Sequence, residues 1–245
     1  MKLKIVETQP WYILPTQRYD LTTRPPSKSM QGDYTFFCSF KVNKKIKTTT
    51  PCSIMMRPGM HHGLCYAQDP EAINWEYWYK DELGENKFGF LSVNLSQYHP
   101  QHKLENTWFC VIRHVTKDKA FTLHLYDEDG KQTTMKSEYS GELINYSGTP
   151  YNFGCGNYFK QVDDSHYFFG DYTMFNVGMI ESLDHDDEAI QEFISINKDS
   201  FDKLEKKGKL NELLFYFNFN NTNIYKAWDL SDHCNFLMKN VDVFK

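Results

Sequence analysis

Between Arg57 and Lys80 the chain gathers side chains suited to hold a polar ligand: RPGMHHGLCY at 57–66, then NWEYWYK at 74–80. An extended segment alternates its side chains, so Trp75, Tyr77 and Tyr79 share one face while Asn74, Glu76, Trp78 and Lys80 share the other. The second face combines an indole, an amide and a carboxylate, which is a set that sugar recognition uses. The indole packs on the apolar C–H face of a pyranose, and the amide and carboxylate bond to its hydroxyls. Arg57, His61, His62 and Tyr66 complete the candidate set, with Arg57 or His61 contacting a hydroxyl or carboxylate. The competing reading puts Trp75, Tyr77 and Tyr79 in the core and leaves the other face as ordinary half-wet sheet.

Other chemistries fit less well. His61 and His62 are adjacent, and neighbours in extended chain point apart, so they do not readily share one metal ion. Asp127, Glu128 and Asp129 read as hairpin-turn residues. Asp184, Asp186, Asp187 and Glu188 read as the acidic start of a helix, where carboxylates complement the helix dipole. A retaining glucanase needs two carboxylates facing one cleft about 5 Å apart. Here Glu76 is followed at alternate positions by Trp78 and Lys80, so that pair is missing. No Gly-x-Ser-x-Gly elbow, glycine-rich phosphate loop or His-Glu-x-x-His helix occurs. A lyase built on Tyr, His and Arg needs no fixed local spacing and stays open.

The elements that would position these residues are mostly strands. YTFFCSFKV (34–42), CSIMM (52–56), GLCYA (63–67), INWEYWY (73–79) and FGFLSVN (88–94) are short, apolar or alternating, and separated by turns. From Trp108 to Ser182 the pattern continues as WFCVIRHV, FTLHLYDEDGKQTTMKS, YNFGCGN and YFFGDYTMFNVGMIES, with the Asp129-Gly130 step marking a hairpin. The stretch 187–214 carries the sustained helical periodicity, through Ile190, Phe193, Ile194, Phe201 and Leu204, as one helix or two. Residues 1–31, with Pro10, Pro15, Pro25 and Pro26, read as an extended N-terminal arm outside the main body at 32–245.

Composition agrees with one large all-β domain: of 245 residues, 19 are Phe, 16 Tyr and 5 Trp, enough to fill a thick two-sheet core. A net charge of −5 argues against a nucleic-acid partner, and the basic run at 41–47 reads as a strand end whose lysines block unwanted pairing. No apolar run approaches the ~20 residues of a membrane span. The start of the chain lacks the apolar core of a secretory signal, so a complete chain would be cytoplasmic; a virion or cell-surface assembly is the other expectation. Six cysteines without a C-x-x-C pair read as reduced thiols.

The order of the pieces after Trp108 resembles the second half of a concanavalin A-like lectin/glucanase domain of the laminin G-like type: a Trp-led strand, an acidic-tipped hairpin, a glycine-bearing strand and a Gly-Asp-Tyr strand. SLDHDDE at 182–188 is similar to the short helix that follows in that family, and FYFNFNNTNIYKAWDLSDHCNFLMKN at 215–240 to a segment supplying an edge strand of the same sandwich. The resemblance implies a two-sheet antiparallel β-sandwich, or jelly roll, with a helical segment near the C-terminus. It implies a non-catalytic, lectin-like domain whose partner is an oligosaccharide or polysaccharide, with no cofactor. Calcium at the rim loops is common in that family; the acidic spacing here matches no oxygen-ligand loop, and calcium stays open as a lesser expectation. Two other functions stay open: a structural or adhesive module of a larger protein assembly, and a polysaccharide lyase or hydrolase.

Overall fold

The computed structural model describes residues 11–13, 17–23, 32–45, 51–57, 62–144, 152–154, 171–180, 213–218, 226–228 and 236–242. They form two antiparallel sheets. The first runs β1 (Trp11–Ile13), β13 (Tyr172–Ile180), β3 (Tyr34–Val42), β8 (Trp108–Val115), β9 (Ala120–Tyr126) and β10 (Gln132–Glu138). β14 (Leu213–Asn218) pairs with β13 at 176–180, beside β1 at 172–174 on the same edge. The second sheet runs β7 (Asn86–Asn94), β6 (Glu71–Lys80), β5 (His62–Gln68), β4 (Cys52–Arg57), β12 (Asn152–Gly154), β2 (Gln17–Thr23), β16 (Phe236–Asp242) and β15 (Lys226–Trp228). β11 (Glu142–Leu143) pairs with β6 at Tyr79 and Lys80, past the point where β5 has ended.

The core lies between the sheets and follows from side-chain alternation. Phe36, Cys38 and Phe40 of β3, Trp108, Cys110 and Ile112 of β8, and Phe121, Leu123 and Leu125 of β9 face inward from the first sheet. Leu64 and Tyr66 of β5, Ile73, Trp75 and Tyr77 of β6, and Leu91 and Val93 of β7 meet them from the second. The sheets are locked by rings: Trp75 lies 6.0 Å from both Phe36 and Phe121, and Tyr77 lies 4.4 Å from Phe121. Strand β3 is buried on both faces, with Thr35, Phe37 and Ser39 covered on the side away from the core, which explains its unbroken apolar run. Cys38, Cys52, Cys65 and Cys110 are buried free thiols, although Cys38 and Cys110 are direct cross-strand partners.

Two local devices set the registers near the site. At the β9–β10 turn the Asp127 carboxylate accepts the backbone N–H groups of Asp129 (3.1 Å) and Lys131 (2.8 Å), while Gly130 takes the positive φ of 81° that the tight turn needs. After β7 the chain makes one helical turn, α1 (Leu95–Tyr98), whose N-cap Asn94 accepts the N–H of Gln97 at 3.2 Å.

Two expectations need correction. The N-terminal segment read as an outer arm contributes a strand to each sheet: β1 pairs with β13, and β2 lies between β12 and β16. The helix expected at 187–214 falls outside the described residues up to 212, and Leu213 and Leu214 open β14 instead of closing a helix. β15, within the 215–240 segment, is the last strand of the second sheet among the described residues. No helix among the described residues is long and apolar enough to cross a membrane.

Candidate functional site

Strand β6 presents its two faces as the alternation requires. Trp75 and Tyr77 are fully buried in the core, while Asn74, Glu76 and Trp78 lie on the opposite side, the outer face of the second sheet. On that face the register sets Ser92 beside Asn74, Phe90 beside Glu76 and Phe88 beside Trp78, from β7 on one side. From β5 on the other side come Cys65 beside Asn74 and Gly63 beside Glu76.

The outcome is an aromatic strip with a polar flank. The Trp78 and Phe88 rings lie 5.3 Å apart, and Phe88 stacks on Phe90 at 6.1 Å with 21° between planes. Phe88 is 44% and Phe90 59% exposed, an unusual state for two adjacent large apolar side chains. Behind the strip, the Cys65 thiol donates to a Glu76 carboxylate oxygen at 3.3 Å. Burial, and then the neighbouring Glu76 charge, hold that thiol well above its ordinary pKa, so it stays protonated and keeps donating. The Asn74 carbonyl oxygen and the Trp78 indole N–H are themselves buried beneath this face and have no protein hydrogen-bond partner.

The structure brings together three of the seven expected residues, Asn74, Glu76 and Trp78. Arg57 and His62 are paired in register at the turn end of the β4–β5 hairpin, one step beyond Gly63 and Glu76, so their backbone borders the strip. His61 lies outside the described residues. Tyr66 does not belong to the set: it is fully buried on the core side, opposite Ile73 in register, and its hydroxyl accepts the N–H of Asp171 at 3.4 Å. Its place in the sequence motif is near the site, but its parity in the strand is wrong.

Phe88 and Phe90 are what sequence reasoning missed. FGFLSVN alternates Phe outward with Gly89 and Leu91 inward, and apolar residues on both faces conceal which pair is exposed. Gly89 is the clue: a Cβ there would stand 2.3 Å from the Tyr77 ring, so the inward position must be empty and the phenylalanines must point out.

A second cluster, also missed, joins the loop after α1 to the β9–β10 turn. His99 Nδ1 lies 2.8 Å and His102 Nδ1 3.3 Å from the same Asp127 oxygen, and His102 Nε2 lies 3.0 Å from Asp129. Burial alone would raise the pKa of Asp127, but the hydrogen bonds from His99 and the Lys131 N–H, with both imidazoles nearby, bring it below the usual carboxylate range. The sequence signal was His-x-x-His at 99–102, unremarked because its carboxylate partners come from 25 or more residues away.

No family model and no curated protein sequence matches the chain. Among solved structures it resembles the full-length tailspike protein 2 from Escherichia coli O157:H7 bacteriophage CAB120, with 11% identity over 89% of this chain and 29% of that one and a TM-score of 0.51. It is also similar to the botulinum neurotoxin serotype D binding domain, at 14% identity over 67% of this chain and 38% of that one with a TM-score of 0.39. A third likeness is the binding domain of botulinum neurotoxin DC in complex with SialylT, at 12% identity over 78% and 45% with a TM-score of 0.43. The chain spans less than half the length of each, and the tailspike likeness supports the β-sandwich fold alone.

Proposed function

We propose that this domain is a non-catalytic glycan-binding module whose saccharide lies across the outer face of β6 and β7. The observation that carries the reading is the exposed, stacked Phe88–Phe90 pair continuous with the Trp78 ring. Flat apolar rings in a row suit the C–H faces of successive pyranoses, and Lys80, exposed at the end of β6, supplies a polar group at the flank, with Asn74 and Glu76 buried behind it. Stacking and wet hydrogen bonds, offset by the cost of ordering the sugar, give an expected Kd on the order of 10 μM to 1 mM.

A glycan array followed by calorimetry with its best ligand tests this. The double variant Phe88→Ala/Phe90→Ala should bind at least about tenfold more weakly while melting as the parent does, because side chains this exposed contribute little to the core. Silence on the array, or unchanged affinity in the double variant, would refute the assignment. The same strip would suit a protein surface, which is the assembly reading. Sedimentation showing oligomers in the parent and monomers in the double variant would favour that alternative.

A further inference from the structure

We propose that His102, Asp127 and Asp129 form a binding site for a divalent transition-metal cation of the zinc class, at the junction of the α1–β8 loop and the β9–β10 turn. One ligand atom from each of the three residues lies within 4.8 Å of the other two. The cluster borders a cavity of about 290 Å³ lined also by His99, Pro100, Gln101 and Lys131.

Hydrogen-bond accounting points to a cation. His102 meets a carboxylate at each ring nitrogen, Asp127 at 3.3 Å and Asp129 at 3.0 Å. An imidazolium donates at both nitrogens, whereas the neutral ring, the form that binds a metal, has one N–H and sets its other nitrogen lone pair against an anionic oxygen, a contact that a cation relieves as a proton does. A divalent cation in that position would take the ring nitrogen and the carboxylate oxygen as two ligands. A second observation lies in the same cavity wall: His99 is fully buried, and its Nε2 has no partner.

The surroundings are already fixed. The outer oxygen of Asp127 is held by two backbone N–H groups of the turn, which leaves the other oxygen directed at the histidines. His99 donates to that oxygen, the arrangement in which a neighbouring group orients a metal-binding carboxylate. The loop carrying His102 is tied down by the Trp108 indole N–H on the Lys103 carbonyl at 2.9 Å, and by Asn106 on Glu128 at 2.8 Å. Lys131 is drawn aside to the Tyr98 carbonyl. Tetrahedral binding at about 2.0–2.1 Å needs ligand atoms about 3.3 Å apart, a closure for which Asp129, 75% exposed, is the ligand with room to move. One imidazole and two carboxylates favour zinc, cobalt or nickel over calcium, which prefers oxygen ligands throughout. Three protein ligands leave the solvent-facing position to water.

The test is calorimetry and thermal melting of the full chain after chelator treatment, titrated with ZnCl2, CoCl2 and CaCl2. One zinc per chain should bind and raise the Tm, with calcium much weaker. His102→Ala and Asp129→Asn should each weaken zinc at least tenfold, and Asp129→Asn should leave the metal-free Tm near the parent's, since Asp129 is exposed whereas His102 packs against Trp108. The cobalt spectrum should lack a thiolate charge-transfer band, which separates this site from the cysteines. Equal zinc affinity in parent and both variants, no zinc binding, preference for calcium, or a thiolate band would each overturn the proposal.

Discussion

Replacing Trp75 and Phe90 by alanine, one at a time, tests the orientation of the sheet on which the site depends. Trp75 is fully buried between Phe36 and Phe121, each 6.0 Å away, so truncation removes an entire indole from contact with both sheets. A cavity of that origin costs about 3–5 kcal/mol. Unfolding entropy of about 2.1 cal/mol/K per residue gives roughly 0.5 kcal/mol/K over 245 residues, so the Tm should fall by about 6–10 °C. That is a large share of the ~5–15 kcal/mol by which such domains are stable. Phe90 is 59% exposed on the other face, and Phe90→Ala should stay within about 0.5 kcal/mol of the parent. Urea unfolding followed by far-UV circular dichroism, with unchanged slope, would supply both values. If Phe90→Ala proved as costly as Trp75→Ala, the strip would be a covered surface and the binding face would have to be sought elsewhere.

Two further perturbations probe the same core. Gly89→Ala should destabilise by about 1–3 kcal/mol in a thermal melt, because the new Cβ, 2.3 Å from the Tyr77 ring, must push that ring off Phe121 and away from its 2.8 Å hydrogen bond to Ser137; a neutral result would mean that β6 and β7 can slide. His114, buried, donates from Nδ1 to the Gly32 carbonyl at 2.7 Å and accepts the Tyr139 hydroxyl at Nε2, 2.9 Å. Burial lowers its pKa in the folded state against the opposing pull of the Gly32 carbonyl and Asp33, so below the unfolded value of about 6.5 only the unfolded chain takes up the proton. Its contribution to stability is therefore complete above about pH 7 and is lost as the pH falls through 6.5 toward the folded-state value; His114→Gln should flatten that segment of the stability–pH curve, and an unaltered slope would rule His114 out as its cause.

Strands were legible wherever period and punctuation agreed. β6 was legible because its inward positions, Ile73, Trp75 and Tyr77, alternate with the polar Asn74 and Glu76, and the β9–β10 hairpin because its acidic tip ends in Gly130. β1 and β2 were not, since three- and seven-residue strands among prolines carry too little pattern, and their partners lie far along the chain. Tyr66 was misplaced because proximity in sequence was allowed to stand for a shared face. Once Leu64 is set opposite Trp75, parity sends Tyr66 inward. The histidine cluster was hidden for another reason: its geometry exists only when a loop and a distant turn meet.

The position of β2 between β12 and β16 bears on how the protein is made. Thr23 finds its partner in Phe236, so this strand emerges from the ribosome and must wait while more than two hundred further residues are added. At about 5–20 residues per second the delay is on the order of ten to forty seconds. During that interval β2 has at least one edge unsatisfied, and both until β12 at 152–154 has been made, and pairing across so long a loop is intrinsically slow once both strands exist. A nascent chain of this topology should therefore depend on a holding chaperone, and should misassemble when translation outpaces it.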